Sequence, residues 1–459
     1  MLDMDLRQFA GLFDAYTELR IQENRNKEVK LVNGSVATNS RSAMSGVSAR
    51  VNRNGSWGFA SNPNMEEGSI RSVIKTASNN AALLDSKERK GRPPLPWTKV
   101  SSENDFSTKE PRLTQKQLVE FLREIDAHIV GTCPNLSSRI VRLLCLDMEK
   151  TLFTSDGSFG RSMIPRSIIR VTLTLEKEGD PIELTSVFGG LGQFEDVLVS
   201  PDSVFEGIGT LYQQLVQKSE GGFAKAGTRT CVLDADLAGI LAHEAIGHST
   251  EADLVMGGSA AGPLLNKEAA SPLITLVDFA NTAQSEICPV PVYVDDEGTE
   301  ARDAIIIDKG ILKGYMHNKE SAARFGVSPA GNARAYQFSD EPLIRMRNTV
   351  IMPGTSRFED MIASVDDGYY LMKPNNGQAD MTGEFMFGIT LGYEIKDGKM
   401  GKAIRDTTIS GVAFDLLKSV TMVSRDMKWT RASMCGKKQI IPVGMGGPAI
   451  KCRVNIGGR

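Results

Sequence analysis

GGFAKAGTRTCVLDADLAGILAHEAIGH, running from Gly221 to His248, is where the chain changes character. The paired glycines at 221 and 222 end the helical spacing before them, Thr230 to Leu233 has the β-branched and apolar make-up of a strand, and Leu237 to Gly247 has the spacing of a helix. Beyond it the segments are short, punctuated by glycine and rich in β-formers. Turn signals at Asp308-Lys309-Gly310 and Lys396-Asp397-Gly398-Lys399 are each flanked by apolar β-formers. Residues 221–459 are therefore expected to form a β-rich, antiparallel, barrel-like body that carries one special helix.

Upstream, residues 1–220 read as an α+β domain, which makes the whole chain α+β. From Leu19 to Ser61, β-rich runs alternate with Asn33-Gly34 and Asn54-Gly55, the signature of a meander. Helical spacing follows through Ile70, Val73, Ile74, Ala77, Ala81 and Leu84. Thr114 and Gln117 form a capping box that opens a second helix through Leu118, Leu122, Ile125 and Ile129. A hairpin is expected over Ser167–Glu176 and Ile182–Phe188, turning at Gly179-Asp180, with a helix over Val204–Lys218. Gly91 to Trp97, with three prolines, reads as an ordered connector.

With 459 residues there is ample chain for two domains and a proper core. Lys and Arg number 53 against 56 Asp and Glu, so the formal charge of −3 offers no global attraction to nucleic acid or to an anionic membrane. The basic stretches Lys87 to Lys90 and Lys437-Lys438 are short and read as surface. The N-terminus, Met1 to Arg7, carries acids and lacks an apolar run, and no segment has the ~20 apolar residues of a membrane-spanning helix. Six scattered cysteines form no C-x-x-C pair. These features together point to a cytoplasmic protein with reduced thiols.

The chemistry concentrates on the special helix. Only four histidines occur, and two stand in His243-Glu244-Ala245-Ile246-Gly247-His248. Imidazoles bind zinc well, and a carboxylate beside one ligand can take a proton from water as general base. The spacing is informative: at ~100° per residue, a separation of four leaves two side chains about 40° apart, whereas five leaves them about 140° apart. A regular helix cannot aim both at one ion. The chain must widen into a π-bulge or end between them, and Gly247 directly precedes the second histidine.

A catalytic zinc takes three protein ligands, so a third must come from elsewhere: Glu251, Asp253, Cys288, His317, Cys435 or Cys452. Glu251 and Asp253 suit a supporting role, orienting the imidazoles. Cys435 gains from its setting, with Gly436 permitting close backbone approach and Lys437 favouring thiolate. Cys452, flanked by Lys451 and Arg453 in a β-rich run, reads as a buried structural thiol.

The chain also resembles the TldD/PmbA metallopeptidases, on the metal-carrying TldD side of that family. The resemblance rests on His243 to His248 with Glu251, on Asp295 to Thr299, and on Asp308 to Met316. It extends through Gly331-Asn332 with Arg334, Arg345-Met346 with Asn348-Thr349, and Met434 to Lys437. It implies a zinc peptidase acting on unfolded or flexible peptides, with His243, His248 and Cys435 as metal ligands and Glu244 as catalytic base. It further implies enclosure of the site by pairing with a TldE/PmbA-type sister subunit, or in a homodimer. Asp295 to Glu297 and Glu384 are read as structural acids. Two other readings are distinguishable: a cysteine hydrolase using Cys435, and a regulatory binding protein with a structural metal, for which Glu244 would have no task.

Overall fold

Asn33-Gly34 and Asn54-Gly55 both take positive φ at each residue, the conformation that a two-residue hairpin turn needs and that these residues tolerate. In the computed structural model, which describes residues 4–88 and 91–458, they close the expected meander of strands Tyr16–Val32, Ser35–Arg53 and Ser56–Asn62. Met1 to Asp3 of the acidic start, and Arg89 and Lys90 of the basic stretch, lie outside the described residues.

The meander supplies three strands of a seven-stranded sheet. Tyr16–Val32 pairs antiparallel with Ser138–Thr154, a long strand with no counterpart in the sequence reading, which in turn pairs with Phe159–Lys177. Asp180–Leu191 forms the expected hairpin with Phe159–Lys177, turning through Glu178 and Gly179, both at positive φ. The other end of the same edge is taken by Ser101–Asp105, in parallel. Two apolar clusters cover this sheet. Helix Glu67–Glu88 packs Ile70, Val73, Ile74, Ala77 and Ala81 on Leu19, Ile21, Val47 and Val51. Helix Gln115–Thr132, opened by the Thr114/Gln117 capping box, and helix Phe205–Glu220 pack on Val141, Leu143, Ile169 and Val171.

Downstream, Gly227–Leu233, Ile450–Gly457, Thr407–Val412, Glu384–Lys396 and Asp367–Ala379 pair in that order, and the last pairs back to the first. This is a closed barrel. Its closing seam is parallel, because Gly227–Leu233 and Asp367–Ala379 run in the same direction. Beside it lies a six-stranded sheet that ends in the Asn348–Ile351, Gln439–Gly447 and Lys428–Lys437 strands, the first two again parallel. Segment Ala235–Gly247 is wedged between barrel and sheet, and one continuous core spans all three, through Leu233, Leu237, Leu241, Ile246, Phe387, Ile441 and Val443. Small residues permit the approach: a Cβ on Gly239 would lie 2.9 Å from the backbone nitrogen of Gly446.

Asp278 and Arg347, both with fully buried side chains, pin the second sheet. Asp278 accepts from the Nε of Arg347 at 2.9 Å, from its backbone N–H at 2.7 Å, from the Asn348 N–H at 3.0 Å and from the Asn332 Nδ2 at 2.8 Å. The Arg347 guanidinium also donates to the carbonyls of Ala330, Arg302 and Asp278. Charged contacts likewise join the first sheet to the 295–335 region. Lys150 and Arg20 hold Asp296, Arg50 holds Glu297, and Lys319 donates to Tyr16 and Asp156. The acids of Asp295 to Glu297 are thus structural, as their turn-like sequence suggested. Among the described residues no helix is long and apolar enough to cross a membrane.

Removing one member of a buried pair leaves the other uncompensated. Asp278→Ala should therefore destabilise the protein by about 3–5 kcal/mol, read from the urea unfolding midpoint and slope. A midpoint equal to that of the parent chain would show that the Arg347 network does not hold this sheet.

Candidate metal centre

Asp234 caps the first turn after strand Gly227–Leu233 by accepting from the Leu237 N–H at 2.8 Å. The helix begins as an ordinary α-helix over Ala235–Ile240 and widens into a π-helical turn over Leu241–Gly247, where the His248 N–H reaches the His243 carbonyl. Of the two arrangements the five-residue spacing allows, a π-bulge or an end of the helix, the chain takes the first. A turn closing on the fifth residue sets His243 and His248 one above the other, and their ring centroids lie 5.3 Å apart. The backbone then tightens over His248–Thr250 and releases at Glu251.

Cys435 arrives from the edge strand Lys428–Lys437. Ligand atoms of His243, His248 and Cys435 all lie within 4.8 Å of one another, and Cys435 Sγ is 3.2 Å from His248 Nε2. Donors of one tetrahedral zinc, with bonds of roughly 2.3 Å to sulfur and 2.0 Å to nitrogen, sit about 3.5 Å apart. The arrangement fits such an ion. His243 supplies the sharper evidence: its ring is fully buried, yet neither Nδ1 nor Nε2 has a hydrogen-bond partner. Buried polar atoms are nearly always satisfied, and an imidazole next to a thiol and a second imidazole is satisfied by a cation.

The surroundings tune each group. Burial, aided by the positive charges of His248, Arg345 and Arg334, holds His243 well below the usual imidazole range, so it is neutral and able to donate its lone pair. For His248 burial also opposes charge, but hydrogen bonds to Cys435 and Glu251 outweigh it and push its pKa up to about 10. Glu251 Oε2 lies 3.0 Å from His248 Nδ1 and orients that ring. Glu244 Oε2 stands 3.7 Å from His248 Nε2, and burial raises its carboxyl above the usual range.

Three expectations are corrected. Asp253 does not orient an imidazole; both its oxygens accept from Lys437 Nζ, at 2.6 and 2.8 Å. Lys437, which also reaches Glu251 at 3.0 Å, is thereby committed to carboxylates rather than to the Cys435 sulfur. Nor is Gly436 what lets the thiol approach, since a Cβ there would meet nothing within 4 Å. Gly247 is the constrained glycine: its Cβ would fall 2.0 Å from Met346 Sδ. Arg345 secures the strand by donating to the Cys435 carbonyl at 2.7 Å. Arg345 and Met346 stand in a segment quoted for the family resemblance, but nothing in the sequence revealed these tasks.

The remaining candidates lie elsewhere. His317 bonds Ser321 and packs on Phe325, and burial lowers its pKa to about 4. Cys288 is buried among Val277, Phe279 and Val350. Cys452 is paired with Cys231 on the neighbouring barrel strand, and burial drives its thiol pKa upward.

Comparison with known proteins agrees with this chemistry. Residues 17–81 match the model of the PmbA/TldA metallopeptidase domain 1, and residues 226–458 that of the PmbA/TldA metallopeptidase C-terminal domain. The zinc metalloprotease TldD homolog of Saccharolobus solfataricus is 28% identical over 90% of this chain and 90% of its own. Two solved structures share the fold. One is a putative modulator of a DNA gyrase from Thermotoga maritima, with TM-score 0.78 at 17% identity and 96% of each chain covered. The other is TldE from Thermococcus kodakarensis, with TM-score 0.73 at 18% identity and 99% of each chain covered.

Gly247→Ala should weaken zinc affinity at least ~10-fold without touching a donor, because the new methyl must displace Met346 and disturb the π turn. Met346→Ala in the same chain should recover most of that loss. Competition with a chromophoric chelator measures both, and unchanged affinity in Gly247→Ala would remove this packing from the account of the site.

Proposed function

Since the chain belongs to the TldD/PmbA metallopeptidase family, we propose that it is a zinc-dependent peptidase in which His243, His248 and Cys435 hold the metal and Glu244 is the catalytic base. The observation that carries this reading is His243, buried with both ring nitrogens unpartnered beside two further donors. Cys435, His248 and Glu251 by themselves have the spacing of a thiol hydrolase, at 3.2 and 3.0 Å. Such an enzyme would leave His243 with no task.

A zinc ion held there supplies a Lewis acid that acidifies water and polarises a carbonyl oxygen. The protein's residues do the rest. Glu244, its carboxyl raised by burial, takes the proton of the attacking water and delivers it to the leaving amine. Glu251 keeps His248 in the tautomer that presents Nε2 inward. Lys437 anchors Glu251 and ties it to Asp253.

The substrate is an unfolded or flexible peptide, bound as an extended strand. Lys428–Lys437 is the last strand of its sheet, so its outer edge can take a peptide backbone by strand addition and draw it past Cys435. A TldE/PmbA-type sister subunit, or a second copy of this chain, would enclose that edge in the cytoplasm. We place the domain division at residue 220, where helix Phe205–Glu220 ends before the first barrel strand.

Glu244→Gln should retain stoichiometric zinc and lose at least ~100-fold in peptide turnover, the scale of a general base. Cys435→Ser should lose the metal and Cys452→Ser should keep it. A chelator should abolish turnover, whereas persistence of full activity in chelator would hand the chemistry to the Cys435 thiol.

A further inference from the structure

The first sheet and the Pro289–Asp296 segment enclose a cavity with about 870 Å³ of space, counting its mouth, which the peptidase chemistry does not use. Its walls are largely apolar, with Leu146 and Ile164 on the sheet side facing Pro289 and Val292. Most of the charge around it is already committed. Lys150 is turned to Asp296 and to the Ala335 carbonyl. Arg334 donates to the Met346 and Pro442 carbonyls. Asp295 accepts from the amides of Glu297, Thr299 and Ala333.

Arg166 is different. It lines the same cavity and is only 8% exposed, yet Nη1 and Nη2 have no hydrogen-bond partner among the described residues. Burial lowers its pKa to about 10, and no neighbouring carboxylate offsets that burial. A guanidinium does not discard its proton at neutral pH. Stripped of water and left unpaired, it destabilises the fold unless an anion meets it. Its two Nη groups form a planar fork that matches a carboxylate, and the apolar walls discriminate against phosphate or sulfate, whose hydration they cannot replace.

We propose that this cavity is a binding site for a small apolar carboxylate, its two oxygens on Arg166 and its hydrocarbon body against Leu146, Ile164 and Val292. The C-terminus of a short peptide and a free carboxylic acid share this chemistry. The site does not depend on the metal reading, and its occupancy can be measured without turnover.

The test is calorimetric titration of the full, metal-loaded chain with N-acetyl-leucine, which mimics a peptide end, with hexanoate, and with N-acetyl-leucinamide as the neutral control. Binding of either carboxylate without the amide is the expected result. N-acetyl-leucine alone would assign the peptide source, hexanoate alone the free acid, and both together the shared chemistry. Arg166→Met should weaken carboxylate binding roughly 10- to 100-fold, the loss of one charge-assisted pair. It should also raise the ligand-free Tm and leave zinc content unchanged. If Arg166→Met does not fold, Ile164→Trp, two residues along the same strand and on the same face, keeps the guanidinium and fills the space beside it, and it should block binding. The proposal is overturned if neither carboxylate binds at millimolar concentration, if the amide binds equally, or if a folded Arg166→Met binds like the parent chain.

Discussion

Two histidines five residues apart cannot face one point from a regular helix, and much of the second half of the molecule is arranged around the turn that lets them do so. A π turn is a rare interruption of helical bonding and needs outside support. Here it comes from two bodies at once. The barrel encloses Leu237 and Leu241 from one side, while from the other the six-stranded sheet brings Gly446 against Gly239 and the segment leading into its Asn348–Ile351 strand brings Met346 against Gly247. The sheet that braces the turn also delivers Cys435, with Arg345 fixing the carbonyl of that residue and the Asp278–Arg347 pair fixing the neighbouring strands. Support for the turn and the Cys435 thiol thus come from one connected framework, which is how a site keeps its geometry to a fraction of an ångström.

The same economy governs charge. Glu251 orients His248 with one oxygen and meets Lys437 with that same oxygen, while Lys437 is held in turn by Asp253. The positive charge that the sequence placed next to the thiol therefore acts one step removed, through the carboxylate behind the imidazole. Among the described residues Glu244 forms no salt bridge with a Lys or Arg, and its burial lifts its pKa in the direction a base requires.

Much of this was legible in the chain because the decisive signals were local. Asn33-Gly34 and Asn54-Gly55 mark hairpins because few other residue pairs tolerate positive φ twice running, and Thr114 with Gln117 marks a helix start because the two side chains satisfy each other's backbone amides. The π turn followed from an angle. Strand Ser138–Thr154 escaped notice because one of its faces carries Asp147, Glu149 and Thr151, all buried, the two acids against Gln193 and Arg25. The parallel seam of the barrel depends on residues more than a hundred positions apart, and no local pattern encodes it. The tasks of Gly436 and Lys437 were misassigned for the same reason: what a Cβ or an ammonium meets is decided by the fold.

An exposed strand edge invites unwanted pairing, and proteins usually blunt it with charge, bulges or a cover. Lys428–Lys437 has lysines at its ends and a register shift between Thr430 and Ser433, which protects the flanks of the strand. The stretch from Ser433 to Gly436 pairs regularly with Val443 to Ile440 and carries an exposed Met434 next to a buried Cys435. A regularly paired stretch at the end of a sheet is hazardous unless something is meant to pair there. In the reading proposed above, that something is the extended substrate, and the enclosing subunit keeps other chains away. The strand that donates the thiol would then align the scissile bond as well, because a backbone paired to it is held in register with Cys435.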